Sequence, residues 1–154
     1  LIVFSLFKEM DYSGAMESLA GVFPYLAFLL SVFSALRLAK FNNDTRQTSS
    51  FVGLPVPANA LFWASLVTGA HDWLVSSNFH PVYLLLLVCL FSWLLVSEIP
   101  MFSLKFKNLS WKDNKTSFIF LLVCIPFLIF LGICSFSAII VWYILLSLIT
   151  RKSK

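Results

Sequence analysis

The feature that most constrains this chain is a stretch without charge: residues 118–150 contain no Asp, Glu, Lys or Arg. A single α-helix of that length would measure about 50 Å, whereas the hydrocarbon core of a bilayer is about 30 Å thick. Pro126, Gly132 and the serines at 135 and 137 offer places to break the helix. The stretch therefore predicts two membrane helices, 118–132 and 136–150, joined by a tight turn.

The composition of the whole chain agrees with a membrane protein. Of its 154 residues, 60% are apolar and 12% are charged, against about 45–50% and 25% in soluble domains. This excludes an ordinary soluble domain and a disordered chain. We predict an all-α, polytopic membrane helix bundle that forms a single domain over residues 1–154. About five transmembrane helices are expected, at 19–39, 58–74, 82–97, 118–132 and 136–150.

The first residues differ from the rest because the chain opens inside an apolar run at Leu1. Residues 1–7 are too short to span a bilayer and are expected to be the end of a truncated helix. Residues 8–18 are polar and predict a loop. We therefore expect the sequence to be a fragment that lacks its N-terminal part.

Basic residues lie on one side of the predicted topology. If successive helices alternate in direction, Lys8 lies on one face and the other ten of the eleven basic residues lie on the opposite face. Those ten are Arg37, Lys40, Arg46, Lys105, Lys107, Lys112, Lys115, Arg151, Lys152 and Lys154. An excess of Lys and Arg marks the cytoplasmic side, so that face is expected to be cytoplasmic. A single final span would place three of the ten outside.

Arg37 and Lys40 form the main candidate binding pair. They are three residues apart, so they share one face of a helix at the inner membrane surface. One interpretation is that they only anchor the helix end, where cations also suit the helix dipole. The other is an anion site for a phosphate or carboxylate, because an arginine inside the helix end is costly unless it faces protein or water.

Other candidate binding residues lie close to this pair in the sequence or on the same face. Asn42 follows Lys40, and Asn59 lies just after a bend at Gly53-Leu-Pro-Val-Pro57. Lys105 follows the Val96-Ser97-Glu98-Ile-Pro100 stretch. The bend suits the wall of a polar cavity, although it could equally be a loop that starts a helix. The seven acidic residues show no spacing that predicts a metal site or a catalytic site within this fragment.

Three spaced motifs carry a resemblance to a known family. They are Ser34-Ala-Leu-Arg37-Leu-Ala-Lys40-Phe-Asn42, Phe51-Val-Gly-Leu-Pro-Val-Pro-Ala58, and Leu95-Val-Ser97-Glu-Ile-Pro100 followed by Lys105. Together they resemble the bacterial phosphatidylserine synthase branch of the CDP-alcohol phosphotransferase family over roughly residues 1–107. The family builds its metal site from D-x-x-D-G-x-x-A-R…G-x-x-x-D-x-x-x-D, which is absent here. That motif would lie before Leu1.

The resemblance implies a reaction in which the serine hydroxyl attacks the β-phosphorus of CDP-diacylglycerol, giving phosphatidylserine and CMP. Divalent cations, Mg²⁺ or Mn²⁺, would be held by aspartates outside this fragment, so the fragment alone is predicted to be inactive. Its expected contribution is substrate binding, first by Arg37 and Lys40, then by Asn42, Asn59 and Lys105. The expected partners are CDP-diacylglycerol, L-serine and the bilayer, with a homodimer left open. The expected location is the bacterial inner membrane, with the active side cytoplasmic.

Two alternatives remain at this point. One is another CDP-alcohol phosphotransferase, with glycerol phosphate or inositol phosphate as the acceptor. The other is a non-enzymatic membrane protein, either a transport component or a structural subunit. An inverted repeat would favour a transporter, and the sequence shows none.

Overall fold

The computed structural model describes residues 1–12, 14–43, 51–76, 79–101 and 115–151. Nearly all of these residues are helical. The helices are α1 Ile2–Glu9, α2 Phe23–Leu26, α3 Phe28–Asn43, α4 Val56–Gly69, α5 His71–Val75, α6 Pro81–Val96, α7 Lys115–Leu131 and α8 Ser135–Arg151. Short 3-10 turns cover Gly14–Leu19 and Gly132–Cys134. The described residues also contain two short strands, β1 Phe51–Val52 and β2 Pro100–Met101, which pair antiparallel.

Prolines determine where several helices start. Pro24, Pro57 and Pro81 each occupy one of the first two positions of their helix, in α2, α4 and α6. At those positions the missing N–H costs nothing, and the fixed φ of proline already suits a helix. Pro126 lies inside α7, which continues through it. The predicted break therefore falls at Gly132, where φ is +53°, rather than at the proline.

The helix bounds differ from the sequence prediction at several ends. The single helix predicted at 19–39 consists of α2, which starts at Phe23, and α3, which reaches Asn43, so Lys40 and Asn42 are helical. The helix predicted at 58–74 starts at Val56 and breaks at Ala70, whose φ of −125° and ψ of 22° are not helical. The truncated helix predicted at 1–7 continues to Glu9. Part of the predicted loop at 8–18 lies in the first 3-10 turn.

The helices form one core in which α3 packs against α6, and α4 packs against α8 and α1. Phe62 of α4 stacks on Phe91 of α6, with 4.0 Å between ring centroids. Gly69 lets the second 3-10 turn approach α4, because a Cβ at this position would lie 2.9 Å from the backbone nitrogen of Cys134. These contacts fasten the C-terminal helices to the centre of the bundle.

The two C-terminal helices fold back on each other. α7 packs against α8, and Phe120 meets Tyr143 edge to face at 6.1 Å. Much of the outer surface of α7 is apolar and exposed. Ile129 and Phe130, for example, are 72% and 83% exposed. The predicted hairpin is therefore present as a structural element, and its insertion in a membrane remains a prediction.

Among the residues that the structure describes, two helical stretches are long and apolar enough to cross a membrane, judged by length and composition. They are Phe23–Asn42, of 20 residues, and Lys115–Thr150, of 36 residues. Only 28% and 17% of their most apolar windows are buried in the protein, so neither behaves as the core helix of a soluble domain. The shorter helix Pro81–Val96 is also apolar. Five separate spans remain a prediction.

Candidate functional site: a buried arginine at a fastened bend

The bend that precedes α4 is fixed to the C-terminal end of α6. Gly53 has φ of +78°, and its backbone N–H donates to the carbonyl oxygen of Ile99 at 2.8 Å. The N–H of Leu54 donates to the Leu94 carbonyl at 3.0 Å, and the Leu54 side chain is fully buried. A Cβ at Gly53 would lie 2.7 Å from the Ser97 carbonyl oxygen. Only glycine therefore fits this turn without displacement.

Arg37 reaches this bend from α3. It is 4% exposed, and its Nε donates to the Leu54 carbonyl oxygen at 3.4 Å. The guanidinium carbon lies 5.9 Å from the ring centroid of Phe41, within the range of a cation–π contact. A guanidinium keeps its charge when buried because its pKa is too high to lose the proton. The helix thus holds a permanent positive charge beside the bend.

Lys40 lies one turn further along α3 and binds the end of α6. Its Nζ donates to the Val96 carbonyl oxygen at 3.2 Å and to Glu98 Oε1 at 3.1 Å. The two side chains are 34% and 66% exposed, so this ion pair contributes at most about 1 kcal/mol. The lysine also satisfies a carbonyl at the negative end of the α6 dipole. Lys40 therefore fastens α3 to α6 as well as adding charge.

A small cavity opens next to Arg37. Its volume is about 210 Å³, and apart from the arginine its lining is apolar: Leu38, Phe41, Pro55, Val56 and Pro57. Pockets for whole small molecules are larger, about 300–1,000 Å³. The cavity therefore has room for part of a ligand. An anionic group beside Arg37 with an apolar group behind it matches this lining.

The structure brings together only some of the residues that the sequence singled out. Arg37 meets the bend, and Lys40 meets the C-terminal end of α6 to which the bend is bonded. Asn42 is exposed in the last turn of α3. Asn59 is 5% exposed and lines a different, larger groove. Lys105 lies outside the described residues.

Sequence reasoning missed the partners of the two cations. The Leu54 carbonyl oxygen accepts a hydrogen bond from Arg37, and Glu98 forms an ion pair with Lys40. Glu98 could have been found from charge alone, because an acidic residue at the inner end of an apolar run needs a partner when it is near the membrane. A backbone carbonyl such as that of Leu54 carries no signal in the sequence.

Metal binding has no support among the residues that the structure describes. Within them, no three His, Cys, Asp or Glu side chains lie close enough to hold an ion. The His71 ring contacts Glu9 at 2.9 Å and Asp72 at 3.5 Å, but all three side chains are exposed, His71 at 43%. The described part of the chain therefore does not fit a resident divalent cation.

Together these observations define a class: an all-α bundle with helices apolar enough to cross a membrane and a buried cation at one fastened bend. Within that class, the chain is similar to the CDP-diacylglycerol–serine O-phosphatidyltransferase of Bacillus subtilis (strain 168), with 30% identity over 100 residues. The match covers 64% of this chain, and the chain spans about half the length, 51%, of the curated relative it matches. No family model matches the sequence, and no solved structure matches it.

Proposed function

We propose that this chain is the C-terminal part of a membrane enzyme of the CDP-alcohol phosphotransferase type, and that the whole enzyme transfers a phosphatidyl group from CDP-diacylglycerol to L-serine. The observation that carries the proposal is the buried Arg37 on the fastened bend, beside a cavity that is otherwise apolar. Its supporting comparison is the similarity to a serine O-phosphatidyltransferase. A lipid phosphate and a serine carboxylate are both anions that such a site can bind.

In the proposed reaction, the serine hydroxyl oxygen bonds to the β-phosphorus of CDP-diacylglycerol. The bond between that phosphorus and the oxygen bridging to the cytidine phosphate breaks, and CMP leaves with the electron pair. The hydroxyl proton passes to a carboxylate outside residues 1–154. Mg²⁺ or Mn²⁺, held by aspartates that are also outside this chain, would stabilise charge on the diphosphate.

The proposed role of this chain is to bind and orient the anion. Arg37 binds the serine carboxylate or the lipid phosphate, and its hydrogen bond to the Leu54 carbonyl fixes the direction of the guanidinium. Lys40 adds positive potential at the mouth of the site while holding α6 through Glu98. Asn42 and Lys105 are proposed as weaker contributors near the same membrane surface. The apolar residues that line the cavity beside Arg37 contact the parts of the lipid next to the phosphate.

The proposed setting is the bacterial inner membrane, with the site on the cytoplasmic side. Two observations support this placement. The stretches Phe23–Asn42 and Lys115–Thr150 suit a bilayer by length and composition. In the alternating topology that the sequence predicts, ten of the eleven basic residues lie on the face where α3 ends, and an excess of Lys and Arg marks the cytoplasmic side. CDP-diacylglycerol would then enter laterally from the bilayer, and serine from the cytoplasm.

The test is an acceptor assay on membranes that contain the whole gene product. Labelled L-serine, glycerol 3-phosphate and inositol phosphate are supplied separately with CDP-diacylglycerol, and CMP release and labelled lipid are measured. We expect labelled lipid from serine, and no CMP release by residues 1–154 alone. Use of a phosphorylated acceptor instead would reject serine as the substrate. Absence of CMP release with all three would favour a transport or structural protein.

A further inference from the structure

Four helices of the bundle have nearly the same short length between their polar ends. α4 has 14 residues, α6 has 16, and α7 and α8 have 17 each. At 1.5 Å per residue these helices measure about 21–25 Å, whereas the hydrocarbon core of a typical bilayer is about 30 Å thick. Any tilt would shorten their span further. The apolar region of the protein is therefore shorter than an ordinary bilayer core by about 5 Å or more.

Exposed polar groups fix one edge of this apolar region. α4 breaks at Ala70, and the side chains that follow, His71 and Asp72, are exposed. The turn between α7 and α8 lies at the same level, because a Cβ at Gly69 would lie 2.9 Å from the backbone nitrogen of Cys134. The hairpin therefore turns at the level of these polar groups.

Polar groups fix the opposite edge as well. α6 ends at Val96, where Lys40 binds the last carbonyl of the helix and pairs with the exposed Glu98. α7 begins at the exposed Lys115. The longer stretch Phe23–Asn42 passes Lys40 shortly before its end, so its apolar part is also shorter than its full length. The two edges thus bound the same narrow region on several helices.

Exposed aromatic side chains with a polar atom lie near both edges. Trp73 of α5 and Tyr83 in the first turn of α6 are more than half exposed, and both contact the ring of Phe79. Trp93, in the last turn of α6, is also more than half exposed. Such rings concentrate at the two headgroup levels of a membrane. Tyr83 and Trp93 are ten residues apart, about 15 Å along the helix, which is again short for an ordinary bilayer.

We propose that this chain binds the phospholipids of a bilayer whose hydrocarbon core is thinned to about 25 Å around it. The lipids that fit this surface have acyl chains shorter than those of an ordinary bilayer. The inference rests on the membrane setting proposed above and not on the identity of the acceptor. Thinning brings the phosphates of neighbouring lipids to the level of Lys40, within one helical turn of Arg37. The short helices thus give lipid phosphates access to the candidate site.

The test measures lipid binding to the whole gene product, reconstituted in phosphatidylcholines whose monounsaturated chains range from about 14 to about 22 carbons. A brominated phosphatidylcholine competes with each lipid and quenches the fluorescence of the exposed tryptophans on contact. We expect chains of about 14–16 carbons to bind about threefold more tightly than chains of about 22 carbons. Binding that is tightest at about 18 carbons or more would overturn the proposal, because such chains form a core of about 30 Å.

This measurement needs no turnover, so it is independent of the acceptor assay. Quenching that does not depend on chain length would overturn the thinned bilayer alone. Absence of quenching by the brominated lipid would reject the membrane setting itself, and the inference with it.

Two matched variants test the edge beside His71. Ile133 lies in the turn and Ile129 about one helical turn earlier in α7, and both are more than half exposed. Ile133→Asp should leave the preferred chain length unchanged, because the turn already lies at the headgroup level. Ile129→Asp places a carboxylate inside the apolar region, so it should shift the preference to shorter chains or lower the amount of inserted protein. A shift in the first variant, or wild-type behaviour of the second, would overturn the placement of this edge.

Discussion

At the residue scale, the central question is whether Arg37 binds substrate or only anchors a helix. An anchoring cation needs water or lipid phosphate near it, yet Arg37 is almost fully buried and donates to a backbone carbonyl 17 positions away. Lys40 behaves more like an anchor, because it is one-third exposed and pairs with an exposed acid. The two cations that the sequence treats alike are therefore different in the structure.

We expect Arg37→Ala to lower the rate of phosphatidyl transfer to serine far more than Arg46→Ala does. Arg46 belongs to a polar loop segment in the sequence, where a charge is well solvated. Arg37→Lys should fall between them, since lysine keeps the charge but loses the planar fork. The measurement is phosphatidylserine formation per amount of membrane-inserted enzyme. An equal loss in the two alanine variants would mean that neither arginine is a specific ligand.

Tyr12 offers a stability test away from the site. Its hydroxyl donates to the Phe7 carbonyl oxygen at 2.8 Å, and burial raises its pKa above the usual 10.0. Tyr12→Phe should lower the free energy of unfolding by about 1 kcal/mol. The phenol of the unfolded chain loses its proton first, so the wild type should lose stability as the pH rises above 10. Thermal unfolding in detergent at several pH values would measure both effects.

The phenylalanine variant supplies the control for that pH dependence. It has no phenol at position 12, so its unfolding temperature should fall less between neutral pH and pH values above 10. Parallel curves for the two proteins would contradict the assignment of this effect to Tyr12.

At the element scale, local sequence signals located the helices but not all of their ends. Apolar runs and the early prolines indicate where α4 and α6 begin. In the last turns of α3, Lys40 meets Glu98, which is 58 positions away, and no local pattern contains that contact. The sequence also grouped Asn59 with Arg37, but the structure places them on different cavities. That difference arises from helix packing, which no local pattern contains.

Gly53 tests the bend as an element. Gly53→Ala should destabilise the protein by about 2–3 kcal/mol, because alanine at φ of +78° is strained and its Cβ would meet the Ser97 carbonyl. It should also reduce activity through the displaced Leu54 carbonyl. Thermal unfolding in detergent, alongside the transfer assay, measures both. Gly21→Ala is the matched control, since a Cβ there meets nothing within 4 Å. Equal stability of the two variants would contradict the close fit of the bend.

At the scale of the whole molecule, the two cations of α3 lie where α3, α6 and the bend come together. α3 meets the bend through Arg37, α6 ends beside the bend, and Lys40 of α3 donates to the last carbonyl of α6. The positively charged pair thus lies where two helices reach the same face of the bundle. From its Lys and Arg content the sequence predicts that this face is cytoplasmic, and this assignment stays a prediction. It could not predict that the pair meets backbone carbonyls, because those partners depend on the fold.

The last prediction concerns the C-terminal hairpin. Lys115–Thr150 is a continuous apolar stretch of 36 residues. The chain nevertheless turns at Gly132, and α8 packs back along α7. Each helix has 17 residues, or about 25 Å, slightly less than the hydrocarbon core. A bilayer can thin to match this length at small cost. The hairpin should therefore return the basic tail to the cytoplasmic face, in line with the other basic residues.

Cysteine labelling can decide this topology. Cys89, Cys124 and Cys134 are replaced by alanine, and Ser153→Cys provides the single thiol. In intact cells, a maleimide that cannot cross membranes should leave position 153 unlabelled until the membrane is opened. A matched variant with the single thiol at Asp72, an exposed position in the first turn of α5 on the predicted outer face, should label at once. Labelling of position 153 in intact cells would refute the hairpin topology and reduce the expected spans from five to four.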